Sequence, residues 1–113
     1  MNKDRFFILH IRDAISLIKE YTKGISRKDL DHNSLLRDGI VHQIQVIGEA
    51  AKNLSTAFTN QYTSVPWSEI ARMRDRIVHH YFDVDLDVVW GVVERDIDMV
   101  QAVVDLYLKQ GVE

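Results

Sequence analysis

No cysteine occurs in the 113-residue chain, which excludes disulfide frameworks, thiolate zinc centres, iron–sulfur clusters and a cysteine nucleophile, and fits a reducing compartment. Proline is represented by Pro66 alone and glycine occurs five times. So few breakers, set among spaced Ile, Leu and Val, favour helices. No stretch approaches the ~18 uninterrupted apolar residues of a membrane span. The opening Met1-Asn2-Lys3-Asp4-Arg5 turns amphipathic with no signal-peptide apolar run. A cytoplasmic protein without membrane contact is expected. Excess positive charge is lacking too: 14 Lys and Arg face 17 Asp and Glu, a formal charge of −3. The chain is therefore no polycation that adheres indiscriminately to nucleic acid, and any such site must be local. Gly-rich phosphate loops, nucleophile elbows, internal repeats and low-complexity stretches are also missing.

What remains is 46% apolar and 27% charged, the balance of one globular domain, expected over residues 1–113. Residues 1–40 hold eight basic and six acidic side chains, residues 41–113 six and eleven, with the acid concentrated after position 82. Four helices follow from the spacing. The first, about residues 3–23, aligns Phe7, Ile11, Ala14, Ile18 and Tyr21, with Gly24 as its stop. The second, about 34–55, aligns Ile40, Ile44, Ile47, Ala51 and Leu54 and puts His42, Gln45 and Glu49 on the opposite side. Gly48, Ala50 and Ala51 would admit another helix closely. After a polar connection from Ser55 to Val65 with room for an extra turn, Pro66 suits the first turn of a third helix that runs to about Tyr81. Asp83 or Asp85 then caps a fourth, reaching about Lys109.

That fourth helix carries two stripes. Leu86, Val89, Val93, Ile97, Val100, Val104 and Tyr107 form one, and Val88, Val92, Met99, Val103 and Leu106 the other. So wide an apolar arc predicts cover from two sides, the chain's own bundle and a second copy. The fold expected is all-α, an antiparallel four- to five-helix bundle that forms a homodimer.

Polar functional groups are densest in Arg72-Met73-Arg74-Asp75-Arg76-Ile77-Val78-His79-His80-Tyr81. On one continuous helix Arg74 falls within the apolar face of Trp67, Ile70, Met73, Ile77, Val78 and Tyr81. A guanidinium there needs a carboxylate, a phosphate or water, so Arg74 reads either as a functional cation or as a buried ion pair, with Asp96 the candidate partner. Arg72 and Arg76 read as solvated. His79 and His80 are end-of-helix residues unless Asp75, four before His79, orients that ring for acid–base work. Adjacent histidines diverge and no third ligand is near, so no metal site and no cofactor are expected. Asp83-x-Asp85-x-Asp87 lacks the glycine and glutamate of a calcium loop and reads as capping.

The string Arg74-Asp-Arg-Ile-Val-His79-His-Tyr81 fits the R-x-x-x-x-H-x-Y motif of HEPN-domain ribonucleases and resembles in particular the HepT-like toxins of prokaryotic toxin–antitoxin pairs. Similar too are Val46-Ile-Gly-Glu-Ala-Ala51 with Leu54-Ser55, Pro66-Trp67 before the motif, Met73 next to its arginine, Val84-Asp85 with Val89-Trp90, and the opening His10-Ile11 with Ala14-Ile15. These landmarks cover essentially the whole chain. The position after the motif arginine, often asparagine, is Asp75 here. The resemblance implies a helical homodimer with its cleft between subunits, metal-independent cleavage of RNA, Arg74 and His79 as the catalytic pair, Asp75 as polar helper and Tyr81 as third motif residue. It also implies an MntA-like minimal nucleotidyltransferase antitoxin that transfers AMP to Tyr81. Glu49, within a shared landmark, and His80 are possible accessories. An ideal helix separates residues five apart by about 140°, so one straight helix would not aim Arg74 and His79 at one atom. Either the helix loosens near His79 or two copies converge. Competing readings are a non-catalytic dimer that binds a nucleotide or the nucleotidyltransferase through Arg74, and a purely structural dimer.

Overall fold

The computed structural model describes residues 3–80 and 83–110, apart from the side chains of His79 and His80. Along the chain run α1 (Lys3–Thr22), α2 (Asp29–His32), α3 (Ser34–Lys52), α4 (Thr56–Gln61), α5 (Trp67–Ala71), α6 (Met73–Ile77), β1 (Val78–His80), β2 (Asp83–Val84), α7 (Leu86–Gly91), a π-helical turn (Val92–Asp96) and α8 (Ile97–Lys109). The fold is all-α apart from one small hairpin. No helix among the described residues is long and apolar enough to cross a membrane.

The long helices form where the apolar period is cleanest. Ile8, Ile11, Ile15 and Ile18 of α1 face Ile40, Ile44 and Ile47 of α3, all almost wholly buried. The two helices are antiparallel. At one end Asp4 of α1 accepts from the Ser55 backbone N–H at 2.8 Å and its hydroxyl at 2.6 Å. Ser55 in turn caps α4 by accepting from the Phe58 N–H. Near the other end the Tyr21 ring stands where a side chain on Gly39 would be, 3.4 Å from an ideal Cβ. Asn33 caps α3, and Gly24, at φ 73°, takes the left-handed conformation that ends α1. Lys19 reaches Asp98 at 2.7 Å, which sets α8 antiparallel to α1. Arg27 joins Asp31 and Asp87, tying α2 to α7, and these two carboxylates hold its guanidinium above its ordinary range.

Two departures from the sequence pattern bear on function. The third helix does not run to Tyr81. It breaks at Arg72, whose φ is −106°, and stops at Ile77. From there Val78–His80 is extended and pairs antiparallel with Asp83–Val84. The cause lies in Ile77-Val78-His79-His80-Tyr81-Phe82, β-branched and aromatic throughout and holding no strong helix former. In the fourth helix, buried positions step by five from Val92 to Ile97, where the π-turn lies. That extra residue puts Val92 in the core where an unbroken helix would put Val93, and Val103, also expected on the outer stripe, is buried beside Val100 and Val104. The surface left for a second copy is narrower: Leu106 is exposed, while Met99 and Val88 are half-covered.

An ideal Cβ on Gly48 would lie 3.2 Å from the carbonyl oxygen of Ala71 and 3.4 Å from that of Ile70, so α5 rests with its backbone directly on α3. Gly48→Leu is expected to lower the urea midpoint by the equivalent of about 1–3 kcal/mol through overpacking. Gly39→Ala, which meets only ordinary van der Waals contact, should raise it by up to about 1 kcal/mol from helix propensity.

Candidate functional site

Arg74 lies on α6, three residues after α5 ends against Gly48. The break at Arg72 takes α6 out of the register of α5. Trp67, Ile70, Met73 and Ile77 remain buried, while Arg74 leaves the apolar face on which a single helix would place it. Its side chain is 45% exposed and its nearest carboxylate is Asp75, at 3.8 Å. The buried Arg74–Asp96 pair considered from the sequence does not form. Asp96 instead accepts from Arg76 at 3.1 Å, so Arg76 is half-exposed and paired rather than simply solvated. An always-charged guanidinium held at the surface by one loose contact has donors to offer a ligand.

A surface depression of about 300 Å3 has Arg74 and Asp75 on one wall and Gln45, Glu49 and Lys52 on the other, with Gly48 and Ala71 between. Glu49 and Asp75 therefore do share a site with Arg74. Glu49 is exposed on α3 and its backbone carbonyl accepts from the Asn53 amide. Beyond it lies a second depression, about 380 Å3, between α1 and α3, with Phe7, Val46 and Ala50 as its apolar part and His10, His42, Gln45 and Glu49 at its edge. His10 packs against the exposed Phe6 ring, centroids 4.5 Å apart and edge to face.

The motif histidine follows on the hairpin. Ile77 ends α6, and its carbonyl accepts from the Asp85 N–H at 2.7 Å. The Asp85 carboxylate accepts from the Val88 N–H and so caps α7; of the two caps considered, Asp85 serves. One residue thus closes the hairpin and starts the next helix. His79 and His80 belong by backbone to β1, and their side chains lie outside the described residues, as does Tyr81 entirely. The helical Asp75–His79 pairing does not apply, because His79 is beyond the helix end. The same fact removes the 140° separation that a straight helix would impose.

Sequence spacing had placed His42, Gln45 and Glu49 together; Lys52 continues that row by one more step of three. What spacing could not show is that this row faces Arg74, since that depends on α5 crossing α3 at Gly48. Among the described residues no group of three or more His, Asp or Glu is placed to hold a metal ion.

A family model described as "Ribonuclease HepT-like" matches residues 11–106. The chain is 43% identical over 98 residues to a Methanocaldococcus jannaschii protein named "Gamma-glutamylcyclotransferase and putative RNase", covering 86% of this chain and 44% of that one. It is 37% identical over 91 residues to a "Probable ribonuclease HepT" of Thermococcus cleftensis, covering 80% and 83% of the two chains. It is 36% identical over 97 residues to a "Putative RNase" of Caldanaerobacter subterraneus subsp. tengcongensis, covering 86% and 87%. The chain thus spans less than half of the first relative and most of the other two. No solved structure matches it.

Asp85→Ala removes the side-chain cap of α7 and should lower stability by about 0.5–2 kcal/mol in denaturant titration, whereas Asp85→Asn, which retains a capping oxygen, should stay within a few tenths of wild type.

Proposed function

Since the chain belongs to the HepT-like ribonuclease family, we propose that it is a metal-independent endoribonuclease and the toxin of a toxin–antitoxin pair, with Arg74 and His79 as its catalytic residues. The observation that carries this reading is Arg74 itself: a cation on a short helix, released from the core by the break at Arg72 and facing a depression beside Glu49 and Asp75. The change of backbone direction after Ile77 supports it, because the motif histidine then follows on an extended segment instead of the far side of a helix.

The chemistry requires little more. The ribose 2′-hydroxyl attacks the adjacent phosphorus, its proton passes to a base, the P–O5′ bond breaks, and the departing 5′-oxygen takes up a proton. The products are a 2′,3′-cyclic phosphate and a 5′-hydroxyl, with no other co-reactant. His79 supplies proton transfer. Arg74 offers bidentate donors to the phosphoryl oxygens as charge builds on them. Asp75 keeps the guanidinium near its helix, His80 and Glu49 are accessories to the same cleft, and water or a second His79 completes the proton traffic. A homodimer that brings two clefts together through the remaining apolar surface at Met99 and Leu106 is part of the proposal.

Regulation by an MntA-like nucleotidyltransferase antitoxin fits the same electrostatics. AMP added to Tyr81 places phosphate within seven residues of Arg74, where it competes with RNA for the guanidinium.

Purified protein is expected to cut single-stranded RNA in EDTA, leave 2′,3′-cyclic phosphate ends and spare DNA, which lacks the nucleophile. Arg74→Ala and His79→Ala should each lower the rate by at least about 100-fold. Activity that vanishes in EDTA and returns with magnesium refutes the mechanism, and equal harmlessness of wild type and both variants on expression favours a non-catalytic binding role. Light scattering should show a dimer that Met99→Glu or Leu106→Glu weakens. Co-expression with the nucleotidyltransferase should add mass in steps of ~329 Da, the AMP group, and Tyr81→Phe should abolish them.

A further inference from the structure

Three depressions share walls. The one at Arg74 shares Gln45 and Glu49 with the depression between α1 and α3, and shares Lys52, Ala71 and Asp75 with a third, of about 640 Å3, beside α4 and α5. Together they make one trench along the polar side of α3. From His42 to Lys52 that helix rises about 15 Å, and Arg74 stands along the course, not at an end.

The ends differ in chemistry. At one, Lys52, Thr59, Thr63, Ser68 and Arg72 present two cations and three hydroxyls, the groups that hold sugar and phosphate oxygens without regard to sequence. At the other, the Phe7 ring and the imidazoles of His10 and His42 line the wall, and the exposed Gln45 brings an amide with both donor and acceptor. That set suits the flat face and the polar edge of an unstacked base. An apolar peptide helix would be a poor occupant there, since it would desolvate two imidazoles, an amide and the Glu49 carboxylate. The carboxylates of Glu49 and Asp75 sit in the middle beside Arg74, so phosphates are repelled from all but the cationic positions.

We propose that this trench is a track for single-stranded RNA. The backbone runs over Lys52 and Arg72, and one base beside the cleaved linkage enters the depression between α1 and α3, where His42 stacks and Gln45 reads its edge. The base end of the trench sets nucleotide preference and the cationic end does not. This rests on the ribonuclease reading for its ligand, and binding is tested apart from cleavage.

The probes are 2′-fluoro RNA hexamers, which carry no attacking hydroxyl, with all bases present or with one abasic position placed at each site in turn. Affinity is read by fluorescence anisotropy on the full chain, and cleavage of unmodified RNA is mapped in parallel. His42→Ala and Gln45→Ala alter exposed side chains, and unchanged far-UV circular dichroism shows that they fold. Each is expected to weaken the intact hexamer by roughly tenfold, to leave unchanged the weaker binding of the hexamer lacking the recognised base, and to relax base preference at one position of the cleavage map. Lys52→Ser and Arg72→Ser should weaken all hexamers alike and reduce the salt slope by about 0.7 each. Equal losses on intact and every abasic hexamer, or no loss with an unchanged cleavage map, overturns the base site. Loss of dimerisation in these variants with RNA binding intact assigns the trench to contact between copies and likewise overturns it. Wild type that binds with the abasic dependence yet cuts nothing supports the track while removing the ribonuclease reading.

Discussion

Gly48 is where the fold and the site meet. Because it has no side chain, the carbonyls of Ile70 and Ala71 lie against α3 within van der Waals distance of where a Cβ would be. This fixes the end of α5, and the end of α5 fixes where the chain must turn into α6. Arg74 projects from that turn over Glu49 and Lys52. A single missing methyl thus sets the distance between the two walls of the cleft. The hairpin is set independently, by the bond from the Asp85 N–H to the Ile77 carbonyl, a contact that involves none of the site's polar side chains.

Much of the bundle was legible in the sequence because amphipathic period and capping chemistry act locally. Gly24 ended α1, Ser55 opened the extra turn in the polar connection, Pro66 preceded α5, and Asp85 began α7, each for a reason contained within a few residues. Periodicity misled where backbone geometry changed. An ideal 3.6-residue repeat has no way to register the break at Arg72 or the five-residue step from Val92 to Ile97. Missing the first put Arg74 within an apolar face, and missing the second put Val93 in the core stripe in place of Val92. The β-branched and aromatic run from Ile77 to Phe82 was the available signal for the end of α6, and the apolar spacing from Trp67 to Tyr81 outweighed it.

The site was legible as residue types more than as a place. The sequence singled out Arg74, Asp75, Glu49 and His79 by motif and resemblance, and the structure brings the first three to one depression. Their neighbour Gln45 was visible only as part of a row with His42 and Glu49 on one side of the helix, and Lys52 was not singled out. That this row faces the arginine is a consequence of tertiary crossing, for which no local pattern exists. Arg76 and Asp96 show the converse: twenty residues apart, they pair in a way that freed Arg74 for another role, and only packing chose between the two arginines.

The π-turn divides the C-terminal helix into two pieces with different attachments. Upstream, α7 is tied to the hairpin through Asp85 and to α2 through Arg27 and Asp87. Downstream, α8 is tied to α1 through Lys19 and Asp98 and to the aromatic cluster of Phe58, Tyr62 and Tyr107. Helical bonds that span five residues join them, the kind of step at which helices change direction. The segment bearing the motif histidine is therefore fastened to the smaller piece, through the bond between the Ile77 carbonyl and the Asp85 N–H. In mechanical terms the helix is two struts, the shorter bracing the motif segment and the longer bracing the frame of α1.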